Sequence, residues 1–123
     1  MAQDSPTLKI HCNVPVKLKT GENVNLKVNI YHTLEKTKKG SIRLLLKNHQ
    51  TQDNVDNWFL NKAYLQNFTT HRNKTLTFEF PFTVPYNYSD SFDLILVAKL
   101  NNLKDSIRFV IPTNKVVAFG KKS

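Results

Sequence analysis

In the stretch TLTFEFPFTVP, residues 75–85, the apolar residues Leu76, Phe78, Phe80, Phe82 and Val84 alternate with Thr77, Glu79, Pro81 and Thr83. A side-chain period of two belongs to an extended strand, whose successive residues point to opposite faces, and an apolar set on one parity requires one of those faces to be buried. The alternation recurs. After the turn signal Thr20-Gly21-Glu22, Val24, Leu26, Val28 and Ile30 oppose Asn23, Asn25, Lys27 and Asn29, and in SIRLLLK the residues Ile42, Leu44 and Leu46 share a face. Residues 92–100 and 106–111 read as two strands turned into a hairpin at Asn101-Asn102. Leu8, Ile10, Cys12, Val14, Val16 and Leu18 mark a first strand, or a strand pair interrupted at Pro15. The expected core is Leu26, Val28, Leu44, Phe78, Phe80, Leu94, Leu96 and Phe109.

Residues 48–56 read as a loop, and the segment NWFLNKAYLQNF after it is ambiguous. Val55, Trp58, Phe59 and Lys62 fit a helical turn capped by Asp53, whereas Trp58, Leu60 and Lys62 fit a strand; a short edge strand with irregular flanks is the better fit. Pro81 has no N–H for a ladder, so its strand should leave its neighbour there, as an edge strand or one crossing between sheets does. Pro15 suggests the same device in the first run. Both prolines lie on the polar parity, which keeps the apolar face continuous.

Seven or eight short strands without a long helix predict an all-β chain, a single immunoglobulin-like antiparallel β-sandwich spanning 8–112, with an N-terminal arm 1–7 and a C-terminal tail 113–123. A chain of 123 residues is long enough to bury about two-thirds of its unfolded surface without a metal or a disulfide. The order VKLKTGENVNLKVNI, GSIRLLLK, then LTFEFPFTVP followed by SFDLILVAKL resembles one domain of an arrestin-like protein, over roughly Val16 to Pro112. That resemblance implies an arrestin-like variant of the sandwich and a non-catalytic scaffold or adaptor. Arrestin-like proteins pair two such domains, while this chain has room for one, and the resemblance transfers no functional residue.

The residues themselves offer little chemistry. Three glycines, Gly21, Gly40 and Gly120, leave no phosphate-binding G-x-x-x-x-G-K-[ST] loop and no G-x-G-x-x-G, so no nucleotide cofactor is expected. His11, His32, His49 and His71 are scattered, and His11 and Cys12, adjacent on a strand, point to opposite faces and cannot share a metal. Asp53 and Asp56 bring two carboxylates where calcium takes about six or more oxygens. No serine stands in a nucleophile elbow and no acidic pair is spaced for acid–base work. The expectation is therefore a non-enzyme, with no catalytic residue, no metal, no cofactor and no small-molecule substrate.

The lone Cys12 excludes an internal disulfide, MAQDSPTLKI carries no apolar leader, and no stretch approaches the roughly 20 apolar residues of a membrane span. These features point to a cytoplasmic protein, or a secreted one had a leader been removed. Three glycosylation sequons, at Asn67, Asn73 and Asn87, are about what chance supplies in so polar a chain.

Two surfaces stand out. The first is basic. Eighteen Lys and Arg against nine Asp and Glu give a net charge of +9, which favours anionic partners. Lys9, Lys17, Lys19 and Lys27 occupy the outward parity of the first two strands, followed by Lys36, Lys38, Lys39, Arg43 and Lys47, and Lys36, Lys38, Lys39 and Arg43 are the candidates for binding an anionic partner. Nucleic acid is one such partner, although Tyr31 alone among the outward residues of these strands offers a ring for stacking; a solvated lysine face guarding sheet edges explains the same pattern. The second surface is apolar. If SIRLLLK, FDLILVAKL and SIRFVI are neighbours in one sheet, their outward parity brings Leu45, Ile95, Val97 and Val110 together beside Arg43, Asp93, Lys99 and Arg108. Such a cluster marks a protein partner or a homo-oligomer, unless the segment around Trp58, Phe59 and Tyr64 folds over it. The reading that results is a protein-interaction adaptor, self-associating or docking another protein. The alternatives are a nucleic-acid-binding module and an extracellular adhesion-type domain.

Overall fold

The structure, a computed structural model, describes residues 6–71 and 74–114. Nine strands occur among them: β1 (Leu8–Cys12), β2 (Leu18–Lys19), β3 (Asn23–His32), β4 (Lys39–Asn48), β5 (Leu65–Thr69), β6 (Thr75–Thr83), β7 (Phe92–Leu100), β8 (Leu103–Ile111) and β9 (Thr113–Asn114). Two antiparallel sheets form, one in the order β1-β3-β6 and one in the order β5-β4-β7-β8, and β2 pairs in parallel with β9. The expected hairpin turns at Asn101, which takes a φ of 59°, and the 20–22 turn at Gly21, with a φ of 83°.

The inward parities of both sheets meet in a single core. Leu26, Val28, Ile30, Phe80 and Phe82 come from one sheet, and Ile42, Leu44, Leu46, Leu94, Leu96, Ala98 and Leu100 from the other, all buried. Of the eight expected core residues, six are buried, and Phe78 and Phe109, on the outermost strands β6 and β8, are half-buried against the core. Gly40 makes room for the ring of Phe68: a Cβ at residue 40 would stand 2.6 Å from that ring and from the Lys99 carbonyl.

Pro81 does not end the pairing of β6 with β3, which runs on through Asn23↔Thr83. The reason is one of phase. His32 N–H donates to Lys74 O and Val84 N–H to Glu22 O, so the even residues of β6 bond to β3 and the odd ones, Pro81 included, turn their backbone groups outward. β6 is an edge strand, as a proline there demands. In the first run the chain leaves β3 after Cys12, passes Pro15, and resumes as β2 against β9, with Leu18 N–H bonded to Pro112 O and Thr20 N–H to Asn114 O. Pairing thus extends beyond residue 112. Most of the expected arm and tail, residues 1–5 and 115–123, lies outside the described residues.

The ambiguous segment contains an edge strand, but at Leu65–Thr69 rather than around Trp58. Residues 54–61 are turns organised by the buried Asp56, which accepts from Leu46 N–H at 2.8 Å, Asn54 at 3.1 Å and Asn61 at 3.0 Å. That carboxylate is taken up by hydrogen bonds that build the turns. Phe59 is driven into the core, edge-on to Tyr88 and Phe92, while Trp58 packs edge-on to Tyr88.

The lateral gaps between the sheets are closed by side chains. Asp105 accepts from the outward N–H of Ile10, joining β8 to β1; Gln66 donates to Glu79 O and Phe59 O accepts from Thr83 N–H, joining the 59–66 segment to β6. No helix among the described residues is long and apolar enough to cross a membrane.

Candidate functional site

The strands SIRLLLK, FDLILVAKL and SIRFVI are neighbours, in the order β4-β7-β8 with β5 beyond β4. The register sets Leu45 opposite Ile95, Arg43 opposite Val97, Ile95 opposite Arg108 and Asp93 opposite Val110. Leu45, Ile95, Val97 and Val110 are therefore on one face, turned away from the core; the first three are half-buried and Val110 is 49% exposed. The Trp58 segment does not cover them. Phe59 faces the core, and only Tyr64 reaches this face, where the Arg43 guanidinium lies 5.8 Å from its ring centroid.

Between these strands runs a depression of about 300 Å³, floored by Leu45, Leu65 and Val97 and rimmed by Ser41, Arg43, Lys99 and Lys104. A second, of about 260 Å³, adjoins it through Ser41 and Lys99 and adds Lys39, Asn67 and Asn101. Lys99 and Lys104 are directly opposite in the register, and like charges so placed repel. None of the residues lining either depression is acidic.

The one carboxylate on the outward parity of this sheet, Asp93, has no exposed surface. His49 Nδ1 lies 2.7 Å from its Oδ1, Gln52 Nε2 donates to Oδ2 at 2.9 Å, and Arg108 pairs with Oδ2 while donating to Gln52 Oε1 at 2.8 Å. Burial alone would raise this carboxyl; the bonds from Gln52, Arg108 and His49, with the Arg108 charge, overcome that and hold it below the usual carboxylate range. The face thus presents Lys39, Arg43, Lys47, Lys99 and Lys104 around apolar ground, with its one anion already neutralised.

The basic residues of the first fifty positions do not form one surface. Lys9 and Lys27 lie on the outward parity of β1 and β3, on the side of the molecule opposite to β4, because the chain crosses between sheets after His32. Lys39 and Arg43 join the depressions, whereas Lys36 and Lys38 precede β4 in a loop whose backbone is held by Thr70: Thr70 N–H donates to Lys38 O, and Lys38 N–H to the Thr70 hydroxyl at 2.8 Å. Lys104, Leu65, Ser41 and Asn67 were not apparent as site residues from sequence. Lys104 lies ahead of the strand expected to begin at Ser106, and Leu65 and Asn67 fall in the ambiguous segment. Burial pushes the Cys12 thiol up to about 11 and its Sγ donates to Lys27 O, and His11 is exposed on its own. Among the described residues no three His, Cys, Asp or Glu side chains converge as a metal site would require.

This is an all-β protein with antiparallel sheets and a cation-rimmed apolar surface on one of them. Comparison with known protein families returns no match, and no curated protein compared with it is significantly similar in sequence. Among solved structures, the fold is similar to a family 123 glycoside hydrolase from Clostridium perfringens, described for the hydrolysis of glycolipid glycans, with a TM-score of 0.55 and 11% identity over 89% of this chain and 27% of that one. A DUF4466 family protein from Parabacteroides merdae aligns at a TM-score of 0.49 and 10% identity, over 85% of this chain and 44% of that one. The chain thus spans about a quarter of the hydrolase and less than half of the second protein. At such identities the likeness concerns the fold alone.

Proposed function

We propose that the protein is a non-catalytic protein-interaction module, an adaptor with an immunoglobulin-like sandwich, whose docking surface is the outward face of β5-β4-β7-β8. The strand order supports the immunoglobulin-like assignment: β1-β3-β6 faces β5-β4-β7-β8, and the first run changes partner from β3 to β9 at Pro15. The arrestin-like variant rests on the resemblance between the sequences. The observation that carries the function is the apolar strip Leu45, Ile95, Val97 and Val110 within a rim of unpaired cations, its single carboxylate, Asp93, already engaged.

Charge complementarity selects the partner. A second copy meeting this face isologously would press Arg43, Lys99 and Lys104 against a cationic patch, so the complement is a different protein with apolar side chains among acidic ones. Nucleic acid is the poorer complement, because the floor is aliphatic and offers no free ring on which bases could stack. Because Leu45, Ile95 and Val97 are already half-buried, a partner covering each of them gains only part of the roughly 1.5–3 kcal/mol that full burial would contribute.

The test is selection from a random peptide display library at physiological salt. Wild-type protein should enrich sequences mixing acidic and apolar residues. Val97→Asp should keep a folded monomer with an unchanged solution mass and lose that enrichment at least tenfold. No enrichment, or enrichment indifferent to Val97→Asp, would overturn the proposal.

A further inference from the structure

β5 is an edge strand whose free side carries no charge and no proline. Leu44 N–H donates to Tyr64 O and Thr70 N–H to Lys38 O, so the even residues of β5 bond to β4 and the odd ones, Leu65, Asn67 and Thr69, turn their N–H and C=O groups away from the sheet. Several of the corresponding groups elsewhere are guarded, although Thr75 and Thr77 of β6 are also exposed and uncharged. On β1 the N–H of Ile10 is taken by Asp105; on β6 Pro81 has no N–H, Glu79 O accepts from Gln66, and Thr83 N–H donates to Phe59 O. On β8 the residues turned outward in the same sense, Lys104, Ser106, Arg108 and Val110, include two cations. None of Leu65, Asn67 and Thr69 is charged, all three are exposed, and no hydrogen bond to their backbone occurs among the described residues. An uncharged open edge is a template for another strand.

Each face of that edge has its own chemistry. Outward, Leu65 and Asn67 line the cation-rimmed depressions with Arg43 and Lys39 just beyond. Inward, Phe68 and Phe78 form a half-buried pair, ring centroids 5.2 Å apart, beside the Gln66–Glu79 bond that spans the flank between β5 and β6. A strand laid along β5 would place alternate side chains over each, since successive residues point to opposite faces. The matching sequence alternates acidic residues, which meet the lysines and Arg43, with apolar residues, which cover the two rings.

We infer, building on the docking surface proposed above, that the partner enters as an extended acidic–apolar segment added as a fifth strand at the open edge of β5. Backbone hydrogen bonds to Leu65, Asn67 and Thr69 supply the attachment and the alternating side chains supply the selectivity. The edge accepts a heterologous segment rather than a second β5, because two copies of LQNFT bring no acid to answer Lys39 and Arg43.

The test uses the full chain and a fluorescein-labelled peptide of alternating glutamate and valine, with a peptide of the same composition in two blocks as control. The alternating peptide should bind, the block peptide at least tenfold more weakly, and amide exchange at Leu65, Asn67 and Thr69 should slow in the complex. Asn67→Pro, which removes an outward N–H and no bond to β4, should weaken binding at least tenfold, while Asn67→Thr, which keeps the N–H, should bind as wild type. Binding without protection of the β5 amides, or equal binding of the two peptides, would overturn strand addition and leave the docking face standing. No binding of the alternating peptide would also overturn strand addition, and the display selection tests the face independently of it. β5 amides already protected in a species of doubled mass would assign the edge to a second copy and overturn the inference as well. The exchange measurement is made on the wild-type chain and does not depend on how Asn67→Pro folds.

Discussion

Asp93 lies on the outward parity of β7, where sequence alone expects a solvated carboxylate, yet it has no exposed surface because His49 and Gln52 reach over it from the turn after β4 and Arg108 closes on it from β8. Parity is a local property. Coverage by a loop more than forty residues away in sequence leaves no trace in it, and the same limit hid the burial of Asp56 and Phe59 within their turns. The neutralisation of Asp93 has a thermodynamic signature. Its carboxyl is held below the usual range in the folded state, so its contribution to stability is complete above the unfolded value of about 3.9 and is lost as pH falls through the folded value. Asp93→Asn should therefore cost about 1–3 kcal/mol near pH 7, through weakened bonds to Gln52, His49 and Arg108. Urea titrations of wild type and variant from about pH 7 to about pH 3 should show that gap narrowing on the acid side. A gap independent of pH would mean that the carboxylate charge contributes nothing.

The strands were the most legible part of the chain, because alternation in β3 and β6 is strict and in β4 and β7 one parity is apolar over most of its length. Their partners were legible only in part: the β4-β7-β8 adjacency followed from the expected fold, whereas the position of β5 did not, since LQNFT shows no clean alternation and its burial is nowhere complete. Pro81 shows what periodicity alone omits. A strand has a second parity, that of its hydrogen bonds, and a proline is harmless on the half that points off the sheet. Thr77 shares the Pro81 parity and Leu76 does not. Thr77→Pro should cost no more than about 1.5 kcal/mol, including the lost Thr77–Asn29 side-chain bond of 2.8 Å, while Leu76→Pro should cost about 3 kcal/mol or more. Chemical denaturation of both variants checks the pair, and equal losses would contradict the phase assigned to β6.

Among the described residues the basic excess is divided among surfaces rather than gathered into one. Nearness in sequence does not make Lys9, Lys27 and Arg43 one surface, because β3 and β4 are adjacent in sequence but belong to sheets that face opposite ways. A divided charge binds polyanions diffusely. Single-stranded and duplex DNA should bind weakly at low salt and detach by physiological salt, with charge reversal at Lys36, Lys38 and Lys39 producing a modest, sequence-independent loss. Micromolar or tighter binding at physiological salt, measured by anisotropy, would favour the nucleic-acid reading over the adaptor. The short parallel pair of β2 and β9 bears on a different demand. Because the two strands lie side by side and point the same way, tension drawn across them from opposite ends of the chain acts along their length, and the bonds of Leu18 to Pro112 and Thr20 to Asn114 must yield together rather than unzip in turn. A clasp loaded in this way opens only when both bonds break at once, so it resists shear more than either bond would alone.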